Sequence, residues 1–350
     1  MARESQITRR DWLHLTAAVA AGAATGCGGD GRPTLNVFNW SDYIAPDLLP
    51  EFERKFAARV VYDNYSSDAE LETKLTTGGG GYDVVFPSDR TMAALLAKGV
   101  LARIDRTQLP NRSHIDPQFL APPFDPKNDF SVPYFWGTLA LGIRTERAPG
   151  NITGFEPLFD ERNRGKITML DDAESVVAGV LAHLGLPINS TAPADLARVK
   201  QLLLAQRPLV GAYTSDTYKE KLIAGEAWVA LGWSGDLRQA ADEDEQIRVI
   251  VPQRGTLRWM DSLAIPQGAQ NVPLAHQFIN FLLDPVVAAR NAEHIHFATP
   301  NRTAREQLPK KMQDDASIYP PADVLARCEW LLDRGAEIAK VEQLWREVRQ

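Results

Sequence analysis

The chain has 350 residues, 44% hydrophobic and 24% charged, a balance of globular domains that excludes a disordered chain. Its formal net charge of −7 excludes the basic footprint that nucleic-acid binding requires. Only Cys27 and Cys328 are present, so with Cys27 lipidated no intramolecular disulfide can form and stability must come from a buried core.

Residues 1–27 read as an export signal. Arg9-Arg10 followed by Asp11-Trp12-Leu13 resembles a twin-arginine motif, and the small residues before Cys27 resemble a lipoprotein cleavage box, which makes Cys27 a candidate lipid anchor. The Ala/Gly-rich apolar run between them is too short for a transmembrane helix. Removal of residues 1–26 takes away three arginines against Glu4 and Asp11, so the mature charge becomes −8 instead of −7.

After a Gly-rich tether, Thr34 to Phe38 read as a strand, followed by a helix from Asp47 to Ala58 with Asp47 as N-cap and Leu48, Leu49, Phe52 and Phe56 on one face. Val60-Val61-Tyr62 form the next strand, and Ser67-Asp68-Ala69-Glu70 has the form of a capping box. A strand at Tyr82 to Phe86 ends at Pro87-Ser88 before another helix. The four glycines before it lead into a strand, not into the helix start that a phosphate cradle needs. Residues 102–133, rich in Pro, Asn and Asp, read as a surface excursion, and the apolar run from Ser131 to Ile143 as a crossover between lobes. A second alternating series follows from Lys166 to Val251. Beyond a strand at Ser262 to Ile265, helices are expected at 275–283, 285–294, 322–332 and 336–348. This βαβα alternation predicts an α/β protein with mostly parallel sheets and ligand groups at strand carboxyl ends.

Three Trp-plus-Asp clusters stand at such strand boundaries: Trp40-Ser41-Asp42, with Ser88 at a neighbouring strand end; Trp233-Ser234-Gly235-Asp236; and Trp259-Met260-Asp261. In the last, Trp and Asp are two apart and project to one side of an extended segment. A carboxylate and an aromatic face both attract an ammonium group, each worth about 1 kcal/mol or more when desolvated. Several such pairs suit a ligand with a charge at each end and methylenes between. The plain alternatives are core packing for each Trp and N-caps for Asp172 and Asp236.

The motifs N-W-S-D-Y-I-A-P-D (39–47), Y-D-V-V-F-P-S (82–88), V-A-L-G-W-S-G-D (229–236), W-M-D-S-L-A-I-P (259–266), F-I-N-F-L-L-D-P (278–285) and Y-P-P-A-D-V (319–324) resemble, in order, the polyamine-binding proteins of ABC importers. The resemblance implies a two-lobed periplasmic-binding-protein fold of type II, with residues 31–138 and 260–305 in lobe 1 and residues 139–259 and 306–350 in lobe 2. It implies a small-molecule polyamine ligand, a membrane permease as partner, a monomer without cofactor or metal, and a place in the periplasm or otherwise outside the cytoplasmic membrane.

The putrescine-binding branch is the more similar, and its pattern implies Trp40, Ser41, Asp42, Ser88, Trp233, Asp236 and Asp261 as ligand contacts. Trp259 and Phe297 would complete the aromatic walls, Leu331 would line the apolar middle, and Asp172 would stand as a more distant carboxylate. Asp261 and Asp236 would clamp one ammonium. The chain departs from the family at four places: Ser175 stands for a Glu, with Glu174 one residue out of register; Arg90 replaces an aromatic; Phe297 replaces a Tyr; and Leu331 stands where the spermidine branch has Gln. Putrescine ranks first as ligand, a modified or monocationic amine second and spermidine third.

An enzyme would need a nucleophile with a base, or a metal set, and none of His114, His183, His276, His294 and His296 stands in such a context. His294-Ile295-His296 puts two rings on one side of an extended segment but has no acidic or Cys partner at a metal-site spacing. A receptor for another small amine, used in uptake or in sensing, would use the same cleft.

Overall fold

The computed structural model describes residues 31–78, 80–147 and 150–350; the expected signal and Cys27 lie outside them. A three-stranded parallel sheet has β1 (Thr34–Trp40) between β2 (Arg59–Tyr65) and β3 (Val84–Val85). Side chains alternate across β1. Leu35 and Val37 face the helices Leu48–Phe56 and Val272–Leu282, while Phe38 faces Leu71, Met92 and Leu95 on the other side. Asp47 makes no cap hydrogen bond and pairs instead with Arg290. Ser67 caps as expected, its hydroxyl accepting from the Glu70 amide at 3.2 Å.

The second sheet runs β10 (Glu329–Trp330), β9 (Leu257–Leu263), β4 (Val132–Arg144), β7 (Val229–Trp233), β5 (Ile167–Met169), β6 (Val210–Tyr213), with β8 (Ile247–Ile250) paired to β4. Its outer pairs are parallel, but its centre is antiparallel because the chain enters along β4 and leaves along β9. The 13-residue β4 is almost wholly buried. Its first half pairs with β9 and packs in one core with Tyr134, Phe135 and Trp136; its second half pairs with β7 and β8 and packs in another with Leu139, Leu141 and Ile143. On β9 the same change of core falls between Leu257 and Met260.

Three local expectations are corrected. The strand expected at Ser262 to Ile265 spans Leu257–Leu263, because pairing with β4 extends it through the Trp259 motif. The helix expected over 322–332 stops at Leu325. Pairing of Glu329 and Trp330 with β9, and the Arg258 guanidinium stacked 4.3 Å from the Trp330 ring, draw that segment into the sheet. The tail after residue 305 does not pass at once to the second core, since Leu308, Met312, Ile318 and Tyr319 fill the first and Leu331 is the next to enter the second.

Two buried carboxylates order irregular backbone. Asp83, fully buried, accepts from the backbone amides of Asn36, Gln270 and Asn271 at 2.8, 2.8 and 2.7 Å, tying β1 to the turn before Val272–Leu282. Asp125 accepts from the amides of Asp129, Phe130 and Ser131 and from the Ser131 hydroxyl. The excursion over 102–133 is thereby pinned, and its Leu109, Ile115 and Phe119 are buried in the first core.

Candidate functional site

Strands β1, β2 and β3 end together. The Trp40 indole Nε1 and the Tyr65 hydroxyl both donate to the Phe86 carbonyl, at 3.0 and 2.6 Å, and the two rings lie 4.4 Å apart. Trp40 is half-buried, whereas Ser41 and Asp42 are exposed, with Asp42 turning the chain at φ 52°. Ser88 caps the helix Asp89–Ala97, accepting from the Thr91 amide at 3.3 Å while its hydroxyl donates to Asp68 Oδ2 at 2.9 Å.

Four rings, packed in or against the same core as Trp40, form a continuous wall. Trp233, at the end of β7, meets Trp259 at 5.9 Å; Trp259 meets Phe297 at 5.0 Å; Phe297 meets Tyr43 at 5.9 Å. Two glycines let the wall close. A Cβ on Gly137 would lie 2.7 Å from Trp259 Cζ2, and one on Gly235 would lie 2.3 Å from Phe297 Cδ1. Gly235→Ala is therefore expected to push the Phe297 ring off Trp259 and to destabilise the protein by about 1–3 kcal/mol, as overpacking does. A thermal melt within about 1 °C of the unchanged chain would contradict this.

The carboxylates belong to this wall. Asp261, two residues from Trp259 on β9, is buried, and desolvation pushes its carboxyl well above the ordinary range, against the opposing influence of the Tyr43 hydroxyl beside it. Burial also raises the Asp236 carboxyl, which is opposed by the Tyr218 hydroxyl that donates to it and by Lys219. Both carboxylates bear on the Tyr43 hydroxyl, whose own ionisation burial and these charges drive up. Among the described residues neither Asp261 nor Asp236 forms an ion pair.

At the other end Arg90 is the organising group. Its guanidinium reaches the start of the helix Ala173–His183, with Nη1 3.0 Å from Glu174 Oε1 and Nη2 3.4 Å from Asp172 Oδ2, and it lies 3.9 Å from Asp68 Oδ2. Arg334 takes the other oxygen of Glu174 at 3.0 Å. Ser175 is fully buried, and its hydroxyl donates to Asp172 at 2.5 Å. Burial acts to raise the Asp172 carboxyl, but Arg90 and Ser175 outweigh it and hold it below the ordinary value. Burial pushes Asp89 up to about 7. Leu331 lies away from the ring wall and lines a cavity of about 190 Å³ with Asp89, Arg90, Phe124 and Trp330. A larger cavity of about 380 Å³, beside Arg302, Arg305 and Tyr319, touches none of the residues nominated from sequence.

The structure thus brings together Trp233, Asp236, Trp259, Asp261 and Phe297, sets Trp40 and Ser88 at the edge of the first sheet and Asp172 at the Arg90 end, and leaves Ser41 and Asp42 at the surface. Sequence reasoning passed over Tyr43, Tyr218, Asp68 and Arg334. Tyr43 follows the first motif directly and was within reach; Asp68 was hidden inside a capping box. No group of three or more His, Cys, Asp or Glu among the described residues could hold a metal ion, and His296 Nε2 lies 3.1 Å from Asp242.

Residues 47–320 match the family described as bacterial extracellular solute-binding protein. The chain is 35% identical over 339 residues to the spermidine/putrescine-binding periplasmic protein of Escherichia coli, covering 96% of this chain and 97% of that one. It is 33% identical over 364 residues to the putrescine-binding periplasmic protein PotF of the same organism, covering 97% and 98%. Among solved structures, the spermidine/putrescine substrate-binding protein PotD of Streptococcus pneumoniae superposes with a TM-score of 0.84 at 30% identity, covering 91% of this chain and 98% of that one. The two-lobed periplasmic-binding-protein fold expected from the motifs is the fold of these neighbours. The chain belongs to the bacterial extracellular solute-binding proteins, which are binding proteins of ABC transporters and not enzymes, and which work outside the cytoplasmic membrane.

Proposed function

We propose that the chain captures a polyamine, putrescine first, in the cleft between its two lobes and delivers it to an ABC permease. The observation that carries this reading is Asp261: a buried carboxylate without an ion-pair partner among the described residues, two residues from Trp259 and beside the Tyr43 hydroxyl, on which Asp236 also acts. An ionised carboxylate that is desolvated costs several kcal/mol unless a cation joins it, and an ammonium ligand brings that positive charge. The rings of Trp233, Trp259 and Phe297 supply apolar walls for methylenes and a π face for the ammonium. Trp40, Ser88 and the exposed pair Ser41 and Asp42 meet the ligand from the same lobe as Asp261 and Phe297, Trp233 and Asp236 close on it from the other, and Leu331 and Asp172 stand further along. In this reading residues 31–138 and 260–305, with the tail as far as Tyr319, move as one lobe, and residues 139–259 with the last residues as the other. Export by a twin-arginine signal, a lipid anchor at Cys27 and action as a monomer belong to the same reading.

Both named relatives carry putrescine in their names and the first carries spermidine as well, which supports a polyamine as the ligand. Calorimetric titration with putrescine, cadaverine, spermidine and agmatine tests it. Heat is expected with putrescine, and the absence of heat from all four would sink the polyamine reading in favour of a receptor for another small amine.

A further inference from the structure

We propose that Arg90 is a built-in cation that fills the place where the third charge of a longer polyamine would go, so that the site admits a diamine and refuses a triamine. The inference rests on the amine-binding reading above and concerns which amine is taken.

The cluster around Arg90 has the composition of an ammonium site already occupied. Asp68 approaches the guanidinium from the first lobe, and Asp172 and Glu174 from the start of a helix in the second. Arg334 neutralises one side of Glu174 only. Without Arg90, three carboxylates would face a single arginine, an arrangement that attracts a cation from solution. With Arg90 in place each of the two second-lobe carboxylates has a cationic neighbour within 3.4 Å.

The acceptors left over mark where a ligand's second charge can go. Among the described residues two buried carboxylate oxygens have no hydrogen-bond partner, Oδ1 of Asp68 and Oδ2 of Asp89. Asp89 is 7% exposed and lines the 190 Å³ cavity with Arg90 and Leu331. Both lie close enough to Asp261 to act on its charge, as does Arg90 with the opposite sign. Asp89 thus holds a free acceptor on the cavity that Arg90 also lines, and Asp68 holds one beside the guanidinium. One ammonium is taken by Asp261 and Asp236 and a second by the oxygens of Asp68 and Asp89. A third, carried further, meets a fixed positive charge. Refusal by a like charge is the repulsive half of specificity.

Titration of the purified chain and its Arg90 variants with putrescine and spermidine decides the matter. The unchanged chain is expected to prefer putrescine by about tenfold or more, and Arg90→Ser to shift the ratio toward spermidine by about tenfold or more, through loss of a buried charge contact. Arg90→Gln keeps most of the volume without the charge, so it reports on charge even where the smaller side chain disturbs folding, and it should shift the ratio the same way. Arg90→Lys keeps the charge and should hold the ratio within about threefold. Putrescine binding with a ratio unmoved by both Ser and Gln would overturn the proposal alone. An unchanged chain that binds neither amine would remove the amine-binding reading, and this proposal with it.

Discussion

Asp261→Asn is expected to weaken putrescine binding by about 100-fold or more while leaving the empty protein as stable as before, or more so. Truncating one partner of a buried charge pair costs about 2–5 kcal/mol, because the other charge stays desolvated without its counter-ion. Here the partner is the ligand itself, since Asp261 has no ion pair among the described residues. Desolvation holds the carboxyl's folded pKa above its unfolded one. A group shifted in that direction stabilises the fold fully below the unfolded pKa, and this contribution is lost as pH rises through the folded pKa. Above the unfolded pKa the ligand-free protein therefore bears the cost of keeping this carboxyl protonated or of desolvating its charge, and Asn relieves it. The same sign requires binding to release a proton at pH values near and below the raised pKa, so calorimetric heats should vary with the ionisation enthalpy of the buffer. Near-normal affinity in Asp261→Asn, or a melting temperature that falls with the affinity, would show that the carboxylate is structural.

Asp83→Ala should be among the most destabilising single changes in the first lobe, by about 3 kcal/mol or more. Each side-chain oxygen of Asp83 is engaged, Oδ2 with the Asn36 amide and Oδ1 with the amides of Gln270 and Asn271. Removal strands three backbone donors at a part-buried site, each costing up to the roughly 1–3 kcal/mol of an unsatisfied buried donor. Asp83→Asn keeps one acceptor oxygen and should lose roughly half as much. Equilibrium unfolding in urea measures both, and a loss below about 1 kcal/mol for the Ala variant would mean that water replaces the carboxylate.

The ends of strands were legible in the sequence, because a run such as Thr34 to Phe38 followed by polar turn chemistry gives the same signal in any context. Trp259 and Asp261 share a strand face for a reason already present in their spacing. Arg90 was visible only as a departure from a family pattern. Its partners Asp172 and Glu174 lie 82 and 84 residues away and meet it only when two helix starts are packed against each other. Tyr218 gave no signal, since a tyrosine in a short helix reads as core, and only the closed fold sets its hydroxyl on Asp236. The segment before Leu331 misled for the opposite reason: its residues favour a helix, and pairing with β9 overrides that preference.

The pairing of β4 with β9 places Trp259, a ligand contact in the reading proposed above, where the two cores meet. Gly137 lies opposite Trp259 in the ladder, Thr138 opposite Arg258, and the indole covers the bare backbone of Gly137. A two-stranded ribbon yields by twisting more readily than by stretching its hydrogen bonds, so rotation of one lobe against the other is felt first at this pair of residues. Trp259 is then both wall and pointer. An amine stacked on its ring biases the twist of the ribbon, and intrinsic fluorescence from this indole should report the angle between the lobes as well as occupancy of the cleft.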